Sequence, residues 1–524
     1  MEWKPKHNPW AIALTVTLAT FMEVLDTSIA NVALPHIAGS LAASQDESTW
    51  VLTSYLVSNA IVLPISAWLA STFGRKRFYM TCVALFTISS FLCGLAPSLG
   101  ILVLCRILQG IGGGGLAPSE QAILADTFPA SMRGIAFAVY GMAVVLAPAI
   151  GPTLGGWITD NYSWRWIFYI NIPVGILSLF LTSRLVEDPP YLVEERTKRG
   201  VLRVDYVGLG LIALGVGCLQ LVLDKGQEAD WFSAPYITVA FITAAVAVVS
   251  WIVWEWRHPQ PIVDLKLFKN RNFATAMFFT FVLGIVLFGT TVLIPQFLQT
   301  LMGYSAVKAG EALSGGGLAM MVMMPVAGIL VSRIDARFMI AAGFAMTALS
   351  LNHMATHLNL QISFGTAAML RVYQTVGLAF IFIPSNTLAY VGIPRNKNNQ
   401  VSGMNAFVRN IGGSIGISAL GTLLIRQQQK HQTFMMANAH AGNTQFDSLI
   451  RGTTQALMSA GVNATTASAQ AYRRVYQMIQ GQAATLAYVD IASYMALMVA
   501  ALIPLVALMR RSPKAPANSD TAMH

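Results

Sequence analysis

Apolar residues fall in long runs along this chain, and polar residues gather in the stretches between them. At about 20 residues per bilayer crossing, the pattern predicts fourteen membrane-spanning helices. They cover residues 11–34, 50–71, 78–97, 101–124, 134–157, 165–184, 206–224, 236–256, 274–298, 308–331, 338–356, 364–390, 403–425 and 489–509, the seventh being the shortest. Two polar stretches stand out. Residues 185–205 are charged and join the sixth and seventh segments. Residues 426–488 are rich in Gln, Ala, Asn and Thr with little Gly or Pro, which suits water-exposed helices better than a floppy insertion. Within them Phe446, Leu449, Ile450, Leu457, Met458, Val475, Met478 and Ile479 are interspersed with polar residues, several at helical spacing, so that one face can pack. The tail after Arg511 reads as disordered.

Composition agrees with this all-α polytopic reading. Of 524 residues, 55% are hydrophobic and 11% charged, against about 25% charged in a soluble domain. The net charge of +10 is placed rather than spread. If the N-terminus is inside, the inner loops hold most of the Lys and Arg, including Arg75–Arg77, Arg133, Arg199, Lys266, Arg395 and Arg510, whereas the short outer loops hold only Arg165, Lys225 and Lys308. That bias predicts both termini inside and argues for membrane orientation rather than nucleic-acid binding. Cys82, Cys93, Cys105 and Cys218 lie in apolar segments and have neither disulfide nor metal spacing. No cleavable signal peptide is visible in the first run.

The chain echoes itself at an offset of about 260 residues. N-V-A-L-P at 31–35 matches T-V-L-I-P at 291–295, residues 63–71 match 324–332, and R-I-L-Q at 106–109 matches R-V-Y-Q at 371–374. The implied organisation is a six-helix half over 1–190, a linker and two inserted helices over 191–260, and a second six-helix half over 261–511. The long outer loop 426–488 interrupts this second half, and 512–524 form a tail. Internal repeats point to alternating access around a site between the halves. Val286 and Leu283 stand where Asp26 and Glu23 stand in the first half, so the acids belong to the first half alone.

Glu23 and Asp26 lie deep in the first apolar run, three residues apart and so on one helical face, with Asn31 beyond them. A carboxylate near the bilayer centre costs roughly 2.5–3.5 kcal/mol, so such groups should face water or an internal cation, and they can carry protons. Snorkelling or permanent protonation is the plainer alternative for Glu23. Arg106 is a fixed cation about five residues, or ~8 Å, into its segment, at a height similar to Asp26. The two form either a proton-loading pair or a static ion pair. Gln109 follows Arg106. Glu120 lies lower on the same segment, as a cavity acid or a solvated vestibule residue. With Asn31, Asn405 and Arg409 these make up the candidate substrate cavity; Arg371 echoes Arg106 and reads as structural. Asp224, Glu255, Glu311 and Asp490 fall near segment ends and read as solvated. Residues 141–156 read G-M-A-V-V-L-A-P-A-I-G-P-T-L-G-G. Pro148 and Pro152 bend this helix, while Gly141, Gly151, Gly155 and Gly156 admit a close neighbour. Gly110 and Gly112–Gly115 read the same way.

These motifs carry a resemblance. L-D-T-S-I-A-N-V-A-L-P at 25–35, the R-x-x-Q-G of helix four and the helix-five run at 141–156 resemble the major facilitator superfamily, specifically the fourteen-helix drug:proton antiporters of the EmrB/QacA type. The loop at 67–76 departs from the family pattern: Ala67, Ser71 and Thr72 stand where it has Gly, Asp and Arg, leaving Gly74, Arg75 and Lys76 for turning and anchoring. The resemblance implies two pseudo-two-fold halves plus a two-helix insert, and a gate between halves formed by the helix-five motif. It also implies proton-coupled export of hydrophobic or amphipathic toxic compounds across a bacterial inner membrane. Asp26, Glu23 and Arg106 would couple protons, with no cofactor beyond the proton gradient. A periplasmic membrane-fusion adaptor and an outer-membrane channel would be partners. An uptake permease of the same fold is the rival. A membrane-bound enzyme or sensor finds no catalytic constellation or metal spacing; His36, His353 and His357 fall at segment ends.

Overall fold

A computed structural model describes residues 5–198, 205–440 and 442–509. Its helices are, in order, α1 (Pro9–Ser40), α2 (Gln45–Ser48), α3 (Trp50–Phe73), α4 (Arg75–Leu95), α5 (Leu99–Gly113), α6 (Leu116–Thr127), α7 (Arg133–Asn161), α8 (Trp166–Tyr169), α9 (Asn171–Leu185), α10 (Pro190–Lys198), α11 (Tyr206–Lys225), α12 (Pro235–Arg257), α13 (Arg271–Thr300), α14 (Ala306–Arg333), α15 (Ala336–His357), α16 (Phe364–Ala389), α17 (Asn398–Ala437), α18 (Thr444–Ser459) and α19 (Ala464–Ala500). Among the described residues fourteen helical stretches are long and apolar enough to cross a membrane, with α2–α3, α5–α6 and α8–α9 each forming one. Exposed Leu14, Ile88, Phe91, Leu104, Phe180, Val246, Leu349 and Leu497 give the bundle an apolar exterior suited to lipid. The postulated tail and the cations Arg199, Arg203, Arg510, Arg511 and Lys514 lie outside the described residues.

Local chemistry sets the ends of the helices. Asn8, Asp205, Asn443 and Asn463 cap α1, α11, α18 and α19 by accepting backbone N–H groups, each cap worth about 1 kcal/mol. The glycines at 112–115 break the fourth span into α5 and α6 and bring it close to its neighbours. A Cβ on Gly112 would lie 2.7 Å from the Phe86 nitrogen of α4, and one on Gly114 2.7 Å from the Asn59 carbonyl of α3.

The helices pack as two groups. α1 packs on α7 and α9, with α3, α4 and α5 against one another; α13 to α17 and α19 repeat the arrangement. The seam between groups runs along α7–α14, α3–α17, α6–α17 and α7–α16, and the hairpin α11–α12 lies against α3 with α11 also touching α17. In the second group Arg371 keeps a glutamine partner (Gln374, 2.8 Å) but meets Thr290 and Thr291 where the first has an acid.

The stretch 426–488 is not a loop. α17 continues without a break to Ala437, and α19 already begins at Ala464, so among the described residues α18 is the only separate helix between them. No Gly or Pro interrupts 422–437, so nothing ends the helix where it leaves the apolar zone. At 1.5 Å per residue α17 is about 60 Å long, twice a hydrocarbon core of about 30 Å. Ile450 and Leu457 of α18 are buried, as are Ala467, Ala471 and Val475 of α19, while Leu449, Met458 and Met478 are exposed. His431–Asp490 (2.7 Å) and Gln432–Tyr476 (3.1 Å) tie α17 to α19.

Candidate functional site

Asp26 sits midway along α1 and is 2% exposed. Arg106 Nη1 of α5 donates to it at 2.6 Å, Gln109 Nε2 at 3.0 Å and Asn171 Nδ2 of α9 at 2.7 Å. Arg106 also donates to the Val51 carbonyl and to Gln109, at 3.0 and 2.7 Å, and its guanidinium lies 4.3 Å from the centre of the Tyr55 ring. Asp26 is therefore enclosed in a buried, hydrogen-bonded cluster. Glu23, one turn earlier, is half-buried and faces a cavity. Its Oε1 accepts from Tyr55 Oη at 2.8 Å and Asn59 Nδ2 at 3.3 Å. Tyr55 thus touches both sites, through its ring and through its hydroxyl.

The cavity, about 400 Å³, lies between α1, α3 and α11 on one side and α13 and α17 on the other, with Tyr140 and Val144 of α7 at its floor. Across that floor Arg409 Nη2 of α17 donates to Tyr140 Oη at 2.6 Å. Below it, toward the end of the bundle that bears the first and last described residues, Asn405 donates to Gln121 at 2.9 Å and also bonds Asn386. Phe137 stacks on Tyr390 and Tyr140 on Phe382, at 5.4 and 6.1 Å between centroids. Lowest, Arg75 pairs with Asp126 (2.5 Å) and donates to Asn399 (2.8 Å), and Asn398 donates to Asp126 (2.6 Å). Tyr191 of α10 donates to the same carboxylate at 2.6 Å. Burial pushes the Tyr191 phenol up, so it remains a donor at neutral pH. Three layers therefore close the seam on this side, and the cavity extends toward the opposite end.

The sequence profile described as Major Facilitator Superfamily matches residues 16–417. The chain belongs to the Major Facilitator Superfamily. Within that superfamily it is similar to the multidrug export protein EmrB of Escherichia coli (strain K12), 37% identical over 444 residues, covering 84% of this chain and 86% of the relative. The fatty acid resistance protein FarB of Neisseria gonorrhoeae is 39% identical over 422 residues, covering 80% and 82% of the two chains. The colistin resistance protein EmrB of Acinetobacter baumannii is 29% identical, with 98% and 99% covered. Among solved structures, the proton:xylose symporter XylE superposes with a TM-score of 0.60 at 15% identity over 95% of this chain and 96% of that one, a likeness of fold. The chain is thus an EmrB-like member of the superfamily.

In this superfamily member the candidate residues separate. Glu23 and Arg409 line the cavity. Four others expected there do not. Gln109 is spent on Asp26 and Arg106. Asn405 is locked in the seam. Asn31 is exposed a turn beyond Thr27, outside the lining. Glu120 is fully buried between α1 and α6, accepting from Thr17 at 2.5 Å, neither cavity-lining nor solvated. Glu255, also expected to be solvated, is 1% exposed and accepts from Trp251 and the Val263 amide, while Asp490 pairs with His431. Asp224 accepts from Thr53 and lines the cavity.

The α7 glycines also separate. A Cβ on Gly141 would lie 2.9 Å from Met324 of α14, and one on Gly156 3.3 Å from Val307, both across the seam. Gly151 and Gly155 instead meet Ser28 and Ile29 of α1 within their own half, so the motif is not a single contact between halves. Pro152 cannot donate to the Pro148 carbonyl; Ser28 Oγ takes that place at 3.3 Å. Tyr55, Asn59, Tyr140, Asn171 and Asp224 are site residues the sequence reading missed. Asn171, a lone amide in an apolar segment, carried a usable signal, and so did the Tyr55/Asn59 pair one turn apart.

Proposed function

We propose that this protein exports hydrophobic or amphipathic toxic compounds in exchange for protons, by alternating access, from a bacterial inner membrane with both termini in the cytoplasm. One observation carries the reading: a carboxylate, Glu23, faces the cavity between the halves and is joined through Tyr55 to the buried Asp26–Arg106 pair. A group of this kind can exchange its proton with the cavity while its partner holds the helices in register. The relatives support export, being named for multidrug export, fatty acid resistance and colistin resistance. On this orientation the closed layers lie on the cytoplasmic side, so the conformation is outward-facing. A potential of ~100 mV supplies about 2.3 kcal/mol per charge, enough for roughly 50-fold accumulation per net charge moved. The helical extension of α17, α18 and α19 is the proposed docking site for a periplasmic adaptor leading to an outer-membrane channel.

The test is transport in proteoliposomes of known orientation. Export coupled to protons appears as substrate movement up its gradient when the compartment receiving the substrate is made acidic, with counterflow of protons. Accumulation with the proton flux, in the same direction, would instead identify an uptake permease.

A further inference from the structure

The cavity holds acids and bases, and their hydrogen bonding says which kind of charged guest it lacks. Each carboxylate on its wall already has a protein donor. Glu23 accepts from Tyr55 and Asn59, Asp224 from Thr53, and Glu228 from Lys225 at 2.7 Å. Arg409 is different. It is 3% exposed, it lines the cavity floor, and only Nη2 has an acceptor, the Tyr140 hydroxyl. Nε and Nη1 are buried without one, although the guanidinium lies 5.4 and 5.8 Å from the ring centres of Tyr140 and Phe382. A buried guanidinium with unused donors is costly until an anion meets it. Above it Leu56, Phe288, Val292, Leu293 and Ile417 give the walls an apolar part, beside polar residues such as Asn59 and Gln220. The volume of about 400 Å³ falls in the range of small-molecule pockets, ~300–1,000 Å³, and suits a drug-sized guest better than a two-chain phospholipid.

We infer that Arg409 receives the acidic head group of an amphiphilic organic acid whose apolar body lies along those walls. The inference rests on the export reading only in calling the guest a substrate. Because Arg409 comes from α17 and its neighbour Tyr140 from α7, a bound anion sits on the seam and is held by residues of both helix groups.

The experiment uses full-length protein in phosphatidylcholine nanodiscs and three probes that share one ring system: 1-naphthylacetate, 1-naphthylacetamide and (1-naphthylmethyl)trimethylammonium. Equilibrium binding is read by competition against radiolabelled naphthylacetate. The acid is expected to bind at least about tenfold tighter than the amide, as charge-assisted bonds imply. Arg409→Gln should erase that difference while leaving amide binding unchanged, and Arg409→Lys should retain part of it. Tyr140→Phe, which removes only the existing acceptor, should preserve the order. Equal binding of acid and amide by the natural protein, tightest binding of the ammonium probe, or an Arg409→Gln variant that loses acid and amide alike would overturn the inference. Repeating the measurement with phosphatidylglycerol in the discs separates sources: survival of the acid preference supports an organic acid, and its loss assigns the site to an anionic lipid and sinks the proposal. A protein that binds acids selectively yet moves none of the probes in proteoliposomes leaves the head-group site standing and removes the export reading.

Discussion

Tyr55 joins two charges that do different work. Arg106 and Asp26 are fully enclosed, and removing one partner of a buried pair typically costs about 3–5 kcal/mol because the other charge is left unpaired. Asp26→Asn should therefore lower the thermal unfolding temperature of the purified protein as well as stop uphill export, while Glu23→Gln should unfold near the normal temperature and lose substrate-induced proton release. The double replacement Asp26→Leu with Arg106→Met should recover much of the lost stability without recovering transport. If Asp26→Asn is as stable as the natural protein, the pair is not the structural anchor described here. The charges were legible in the sequence because an acid in an apolar run is conspicuous at any depth. Their surroundings were not. Depth along a helix can be counted from residue numbers, but which way a side chain turns depends on which helices pack where. Glu120 and Gln109 were counted to a plausible depth but do not line the cavity. Asn171 reaches Asp26 only because α9 packs against α1.

Among the helices, α7 shows how one motif serves two neighbours. Gly141→Leu should overfill the contact with Met324 and Phe382 across the seam and stall transport while binding persists. Gly151→Leu presses on Ser28 within the same half and should reduce expression and thermal stability instead. Transport assays beside thermal melts of both variants distinguish the two, and a stable, inactive Gly151→Leu would reverse the assignment. The prolines and glycines of this helix announced close packing in the sequence, but not that the glycines divide between partners. The extension was half legible for a related reason. Hydropathy marks where a helix leaves lipid, not where it stops, and 422–437 contains no residue that ends one. Removing 438–463, which takes out α18 and its turns, and closing the gap with a short linker should lower cellular resistance while proton-driven transport in proteoliposomes persists, if the extension docks an adaptor. Loss of both activities would make α18 part of the transporter's own fold.

For the molecule as a whole, what decides the conformation is the set of layers on the terminal side. The lowest brings α4, α6, α10 and α17 to the single carboxylate of Asp126 and to Arg75. Asn398→Ala with Tyr191→Phe should weaken it, shifting the population toward opening on this side. The measurement is faster labelling of a cysteine at the buried Ser402 from the terminal side in sealed vesicles of known orientation, and no change in rate would show that the layers above suffice. The same strategy checks orientation: a cysteine at Asn443 should label in intact spheroplasts and one at Thr197 only after permeabilisation. The repeat was readable from short matched stretches, whereas the seam residues Asn398, Asn399 and Tyr191 gave no pattern, since they meet only after the two helix groups are placed.

The continuity of α17 has a mechanical consequence. This one rod carries the terminal-side contacts at Asn398 and Asn399, the cavity floor at Arg409 and the outermost end at Ala437. From Arg409 to Ala437 it measures about 42 Å. With the floor as fulcrum, a tilt of about 10°, modest beside known rigid-body rotations, sweeps its far end through roughly 7 Å. α18 and α19, bound to that end, travel with it. Anything clasping the tip from outside would feel each turnover as a stroke, and could hold back the stroke by gripping harder.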